Sequence, residues 1–168
     1  MKKLLILTVV VCACVSFLSA AEGPSGEKSY QIRNCKFDQL LRPRDANSAD
    51  GTRIVIYPAE PWKCMTWKFL PAGDSRFQLQ NHFTHKTFQA TTNEAGTALV
   101  QIPFDRDPAK RPAWKFEKLA DGFYRITDVA SGKCLAAASK SVVTLVPPKD
   151  GPEQEWELIE TDPAKLTM

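Results

Sequence analysis

The 168 residues of this chain include 22 basic and 19 acidic side chains, a formal net charge of +3. Without the leader described next, 147 residues remain, enough for one domain with a proper core but not for two. The remaining balance of +1 gives no basic surface of the kind that binds nucleic acid or anionic membranes, so we expect neither as a partner.

The first residues have the order of a secretory signal peptide. Lys2 and Lys3 precede an apolar run over residues 4–18, and small residues follow at 19–21. The run is short for a membrane span and lacks a flanking stop-transfer charge cluster. We therefore expect residues 1–21 to be removed and the mature protein to be secreted or periplasmic, with no membrane span.

Two alternatives keep the chain at a membrane. The leader would act as an anchor if it were retained. Residues 11–14 also resemble the box in which bacterial lipoproteins are acylated on cysteine, which would attach a lipid to Cys14. Against this, residues 15–18 stay apolar where a mature lipoprotein normally becomes polar.

The first predicted strand occurs three times. Residues 30–34 (YQIRN) return as residues 77–81 (FQLQN) and as residues 124–128 (YRITD), and both steps are 47 residues. Apolar and polar side chains alternate in each copy, which is the pattern of a strand with one buried face. Self-similarity at a fixed period indicates a repeat architecture.

Three further strands follow in the same register. Leu41, Phe88 and Leu135, each 47 residues apart, mark a second strand in each unit. A third strand is predicted over residues 51–58, 96–103 and, more loosely, 141–147. Each unit closes with a tryptophan two residues before an apolar residue, and these three tryptophans are predicted to be core residues: Trp67, Trp114 and Trp156.

Three units of four strands define the fold class. A propeller needs about four blades or more to close, so three units indicate a closed barrel with pseudo-three-fold symmetry, capped by hairpins. We predict an all-β chain, a β-trefoil over residues 28–160, followed by a C-terminal tail over residues 161–168. The predicted repeats cover residues 28–69, 70–116 and 117–160.

These segments resemble the ricin B-chain type β-trefoil lectins. Residues 131–135 (SGKCL) are similar to that family's Gly-Lys-Cys-Leu-Asp stretch, and residues 154–156 (QEW) match its Gln-x-Trp signature. In the first two repeats Met65 and Pro112 replace the Gln, so its side-chain hydrogen bond is expected to be missing there. The resemblance implies a carbohydrate-binding module. We predict that the protein is not an enzyme and needs no cofactor.

The family's sugar-binding residues are mostly replaced. The resemblance places an Asp after the second-strand Leu, an aromatic residue in the third strand and an Asn before Gln-x-Trp, where they hydrogen-bond and stack on the sugar. The chain has Arg42, Gln89 and Ala136 at the first position. It has Tyr57, Ile102 and Val146 at the second, and Cys64, Arg111 and Glu153 at the third.

Only the first repeat keeps an aromatic platform. We therefore predict a carbohydrate site formed by Arg42, Arg44, Asp45 and Tyr57, in which arginine would suit an acidic sugar such as a uronate. The alternative is that these are ordinary surface residues of a degenerate repeat. The chain would then be a protein-binding trefoil, such as a protease inhibitor or an envelope-interaction protein, because the fold hosts inhibitors as well as lectins.

Other functional motifs are weak. His82 and His85 have a spacing that can ligate a metal, but no third ligand is evident, and we predict no metal site. No nucleophile elbow, phosphate loop or distinctive carboxylate pair indicates catalysis. The three cysteines outside the leader allow at most one internal disulfide, and the sequence leaves the pairing of Cys35, Cys64 and Cys134 open.

The predicted cleavage of the signal peptide can be tested directly. Mass spectrometry of exported protein should give a chain that begins near Ala21 or Glu22, because the cleavage signal lies at these small residues. An intact N-terminus, or a diacylglycerol adduct on Cys14, would contradict it.

Overall fold

The structure, a computed structural model, describes residues 23–24 and 26–167, so the leader and Cys14 lie outside it. It contains twelve strands in three successive groups of four. The first four are β1 (Ser29–Asn34), β2 (Gln39–Pro43), β3 (Ile54–Pro58) and β4 (Thr66–Pro71). The next are β5 (Arg76–Asn81), β6 (Thr87–Ala90), β7 (Thr97–Ile102) and β8 (Trp114–Lys118). The last are β9 (Tyr124–Asp128), β10 (Cys134–Ser139), β11 (Val142–Val146) and β12 (Trp156–Glu160).

The first and last strands of each group form a closed antiparallel barrel. β1 pairs with β4, β4 with β5, β5 with β8, and β8 with β9. β12 then pairs with both β9 and β1, which closes the ring of six strands. A closed ring leaves no barrel edge unpaired. The predicted pseudo-three-fold β-trefoil is the observed fold.

The two middle strands of each group form a hairpin that caps the barrel. β2 pairs with β3, β6 with β7, and β10 with β11. The hairpins also meet one another, since β11 pairs with β7 and Arg53 forms a bridge with Val100. The helical segments of the described residues are three-residue 3₁₀ turns, and none is long or apolar enough to cross a membrane.

The three repeated tryptophans lie in the core, as predicted, and each is fully buried. Trp67 Nε1 donates to the Leu41 carbonyl and Trp156 Nε1 donates to the Leu135 carbonyl, both at 3.0 Å. Each bond joins the fourth strand of a unit to its second strand. Trp114 Nε1 is also buried but has no hydrogen-bond partner among the residues that the structure describes.

Aromatic rings fill the space between the units. Phe88 packs between Trp67 and Trp114, with ring centroids 5.0 and 4.8 Å away. A second group brings together apolar side chains from the barrel strands, with neighbouring ring centroids 4.8–6.5 Å apart: Tyr30, Phe69, Phe77, Phe116 and Tyr124. These contacts tie residues of different units into one core.

One position in each opening strand fastens the loop that precedes the fourth strand. Gln31 donates to the Glu60 carbonyl at 3.3 Å, and Gln78 donates to the Pro108 carbonyl at 2.7 Å. The third unit has Arg125 at this position. Arg125 forms an ion pair with Asp150, 2.7 Å away, so all three loops are held to an opening strand.

The tryptophan bonds predict unequal costs for conservative substitutions. Trp67→Phe and Trp156→Phe leave a buried carbonyl without its donor, whereas Trp114→Phe breaks no hydrogen bond. We expect the first two to lower the free energy of unfolding by about 1 kcal/mol more than the third.

Urea denaturation of the three phenylalanine variants measures these differences. The matched alanine series should show large losses at all three positions, about 3–5 kcal/mol each, because all three side chains are buried. An alanine variant with unchanged stability would contradict the core assignment of that tryptophan.

A half-buried histidine predicts a pH dependence of stability. His82 Nε2 lies 2.7 Å from Ser29 Oγ, and burial, with Lys68, His85 and Lys63 nearby, lowers the pKa of His82 below its ordinary 6.5. The unfolded chain therefore binds this proton at a higher pH than the folded chain. The free energy of unfolding should fall as pH falls through 6.5 toward the folded-state pKa.

Thermal unfolding between about pH 7.5 and 5.5 tests this linkage. His82→Gln, which keeps a polar group near Ser29, should lose less stability over this range than the unsubstituted protein. The control His85→Gln, at an exposed position, should retain most of the pH dependence. Equal pH dependence in His82→Gln and the unsubstituted protein would refute the assignment.

Candidate functional site

The positions that the resemblance assigns to sugar binding converge in space. In the third unit, Ala136, Val146 and Glu153 line one cavity of about 420 Å³. In the second unit, Gln89 and Arg111 line a cavity of about 440 Å³. The residue-by-residue transfer from the family therefore selects positions that lie together, although the side chains present differ from the family's.

In the first unit, the structure brings Arg42 and Tyr57 together. Tyr57 on β3 pairs with Leu40 on β2, and Arg42 pairs with Val55, so the two lie diagonally across the ladder. The guanidinium carbon of Arg42 is 4.7 Å from the centroid of the Tyr57 ring. Arg42 is only 5% exposed, whereas Tyr57 is 44% exposed. A buried cation therefore lies against an accessible ring.

A second aromatic residue joins this pair. Trp62, in the loop between β3 and β4, is stacked beside Tyr57 with ring centroids 6.2 Å apart and an interplanar angle of 27°. The Arg42 guanidinium carbon lies 5.6 Å from the centroid of the Trp62 ring. We define the Arg42 site by these three side chains: Arg42, Tyr57 and Trp62.

Sequence reasoning missed Trp62 because it follows no repeat. Trp62 precedes the core tryptophan of its unit by five residues, and the other units have Ala109 and Gly151 at that spacing. The repeat register alone therefore gives no reason to assign Trp62 to the site. The available signal was a tryptophan five residues after Tyr57, in the loop that leads away from the platform strand.

The Arg42 guanidinium carries an uncompensated charge. Its Nε donates to the Pro43 carbonyl at 3.0 Å. Among the described residues, its terminal nitrogens have no hydrogen-bond partner and Arg42 forms no ion pair. Burial raises the pKa of the neighbouring Cys64 thiol, and Arg42 opposes that rise. Unsatisfied guanidinium donors suit a carboxylate or another anionic group.

Arg44 and Asp45 lie farther along the hairpin. Both are exposed in the 3₁₀ turn Arg44–Ala46, where the Arg44 amide donates to the Arg53 carbonyl. Arg44 is the fourth residue after Leu40, which pairs with Tyr57, and this spacing is roughly 13 Å along a strand. Within the described chain no hydrogen bond or ion pair joins either side chain to Arg42 or Tyr57, and their role in the site stays a prediction.

In the third unit, the carboxylate of Glu153 is neutralised by neighbouring lysines. Glu153 accepts from Lys149 Nζ at 2.6 Å, and Lys36 Nζ lies 3.9 Å away. The hydrogen bond from Lys149 lowers the pKa of Glu153. Gly151 has a φ of +145°, a backbone conformation that residues with a side chain rarely adopt, and a Cβ there would lie 3.0 Å from Glu153 Oε2. With Ala136 and Val146 as its neighbours, this carboxylate has no ring beside it.

The histidines and thiols of the described residues form no metal centre. No group of three or more His, Cys, Asp or Glu side chains is placed to hold an ion in the part of the chain that the structure describes. Cys35, Cys64 and Cys134 are all free thiols in this structure. Burial raises the pKa of the half-buried Cys35 to about 11, so its thiol is protonated at neutral pH.

The chain resembles known proteins in both sequence and structure. Residues 111–167 match the family model described as ricin-type β-trefoil lectin domain-like. No protein with a curated description matches the sequence. The designed three-fold symmetric protein ThreeFoil is similar in structure, with a TM-score of 0.73 and 20% identity over 79% of this chain and 99% of that one.

Two natural proteins show similar folds. The ricin B-like lectin of Macrolepiota procera, solved in complex with lactose, has a TM-score of 0.69 and 18% identity over 82% of this chain and 98% of the lectin. The exo-β-1,3-galactanase of Clostridium thermocellum has a TM-score of 0.72 and 18% identity over 83% of this chain, but the match covers only 31% of that enzyme. The resemblance to the ricin B-type β-trefoil lectins is confirmed: the chain has their fold, and residues 111–167 match their family model.

Proposed function

We propose that this protein is an exported, non-enzymatic carbohydrate-binding module whose working site is the Arg42 site of the first unit. The fold supports a carbohydrate-binding role, because the third unit matches a lectin family model and a similar lectin was solved with lactose. Export is inferred from the order of residues 1–21. The family's usual residues are degenerate in all three units, so the ligand differs from that of a galactose-type pocket.

The observation that carries this proposal is the unpaired guanidinium beside two stacked rings. Tyr57 offers an accessible aromatic face, and the apolar face of a pyranose stacks on such a ring. Arg42 offers terminal N–H groups that have no acceptor within the described part of the chain. A carboxylate on the sugar would accept from both guanidinium nitrogens in parallel, a geometry that a neutral hydroxyl cannot reproduce.

The ligand class follows from this charge. An acidic sugar such as galacturonate supplies both the ring that stacks and the carboxylate that pairs with Arg42. The other units lack this combination: the second has Gln89 and Ile102 at the equivalent positions, and the third has Ala136 and Val146. We therefore propose one acidic-glycan site per chain.

Titration calorimetry with galacturonate and galactose tests the site. Tyr57→Ala should abolish binding because it removes the platform, and Trp62→Ala should weaken binding of both sugars. Arg42→Gln should weaken galacturonate binding by about 1.5–3 kcal/mol, the value of a charged hydrogen bond, and change galactose binding much less. Urea denaturation of each variant checks that the fold is intact.

Val146→Ala is the matched control, because Val146 holds the equivalent third-strand position in the third unit. It should change stability and leave galacturonate binding intact. Undiminished binding by Tyr57→Ala would place the site elsewhere. If the unsubstituted protein binds neither these sugars nor any member of a wider glycan array, the protein-binding alternative replaces this proposal.

A further inference from the structure

The three unit junctions share one backbone contact. Where an opening strand ends, the next amide donates to the carbonyl of the residue before a core tryptophan. These bonds run from Cys35 to Glu155, from His82 to Thr66 and from Val129 to Ala113, and each is 3.0 Å long. The backbone at all three junctions is therefore equivalent.

A side-chain clamp strengthens two of these junctions. Asn34 Nδ2 donates to the Glu153 carbonyl at 3.1 Å, and Asn81 Nδ2 donates to the Cys64 carbonyl at 2.9 Å. Each acceptor lies three residues before a core tryptophan. Both asparagines end an opening strand, and both are fully buried. The amide thus fastens the preceding loop to the next unit.

The junction between the second and third units lacks this clamp. The equivalent strand-ending residue is Asp128, and the equivalent acceptor is the Arg111 carbonyl, three residues before Trp114. Asp128 Oδ2 accepts hydrogen bonds from the Ser131 amide and hydroxyl. Asn81 Oδ1 likewise accepts from backbone amides of the turn that follows it. A carboxylate has no N–H to donate, so the other half of the clamp is lost.

A cavity of about 440 Å³ occupies this junction. It is lined by Asp128, Arg111, Gln89, Asn93 and Lys110, together with small apolar residues. Asp128 is 9% exposed, and its Oδ1 has no hydrogen bond or ion pair with any described residue. The Asp128 side chain is largely buried, but its free oxygen is open to the cavity, where a ligand that supplies a donor can reach it.

The nearby cations of the chain do not neutralise this carboxylate. The Arg111 guanidinium folds back onto its own loop, donating to the Asp105 carbonyl at 2.6 Å and the Arg106 carbonyl at 3.0 Å. It also lies 4.2 Å from the centroid of the Phe104 ring. Lys110 is exposed at the rim and forms no ion pair within the described residues.

We propose that this cavity, which we call the Asp128 cavity, binds a small ligand through a primary ammonium group, as in an amino sugar. The ammonium donates to Asp128 Oδ1 and takes the place of the missing amide beside the Arg111 carbonyl. An ammonium has three donors and a positive charge, so it satisfies the carboxylate more strongly than a hydroxyl does. Gln89 and Asn93 offer polar side chains to the rest of the ligand. This site is separate from the Arg42 site and does not depend on it.

Asp128→Asn is the discriminating variant, because the chain already uses asparagine at the two equivalent positions. The new amide should donate to the Arg111 carbonyl and raise the thermal midpoint of unfolding. It should also lower glucosamine affinity about tenfold or more, since the charged acceptor is lost. A purely structural role for Asp128 would change the midpoint alone.

Titration calorimetry with glucosamine, ethanolamine and glucose at neutral pH provides the test. Glucosamine and ethanolamine should bind at one site, and glucose should not compete for it. Tyr57→Ala should leave this binding unchanged, which separates it from the Arg42 site. Lys110→Ala should tighten glucosamine binding severalfold, because it removes a like charge from the rim.

Three results would overturn the proposal. The first is no binding of glucosamine or ethanolamine at millimolar concentration. The second is glucose binding that equals glucosamine binding and fails in Asp128→Asn, which would indicate a hydroxyl site. The third is undiminished glucosamine binding by an Asp128→Asn variant whose melting curve shows an intact fold.

Discussion

The closure of the barrel by β1 and β12 is the constraint on which the rest of the structure depends. Five residue pairs join these two strands, from Tyr30 with Glu160 to Asn34 with Trp156. The closed ring encloses the three tryptophans and holds the aromatic side chains of all three units in one core. With stability supplied from inside the ring, the loops outside it were free to diverge.

That divergence leaves differently charged groups in the three units, at positions that are not equivalent in the repeat. The first unit presents an unpaired cation at Arg42, and the second-unit junction presents an unpaired carboxylate at Asp128. The third unit holds Glu153 between Lys149 and Lys36, where its charge is cancelled. The three units therefore differ in charge, whereas a lectin with three matched sites would repeat the same groups.

The sequence predicts the fold well because the core is periodic. The recurrence of Tyr30, Phe77 and Tyr124 at 47-residue steps identifies the three units, and the buried tryptophans fix their register. Both signals reflect the same packing requirement repeated three times. The pairing of Arg42 with Tyr57 was also predictable, because strand register decides which side chains face each other.

The remaining features are departures from the repeat, which the periodicity of the sequence does not predict. Trp62 has no aromatic counterpart in the other units, so the pattern gave no reason to place it beside Tyr57. Position 128 has aspartate where the two equivalent positions have asparagine, which is a small chemical difference in the sequence. Its importance appears only when the loops that Asn34 and Asn81 fasten are seen at the other two junctions.

The pairing of β12 with both β1 and β9 has a consequence for how the chain completes its fold. The strand that closes the barrel is the last of the twelve, so its pairing with β1 joins segments at opposite ends of the fold. Contacts of such long sequence separation slow folding, because a large loop must close before they form. A chain cut before Trp156 would keep most of its core residues yet expose two strand edges at once, the form in which β proteins associate edge to edge.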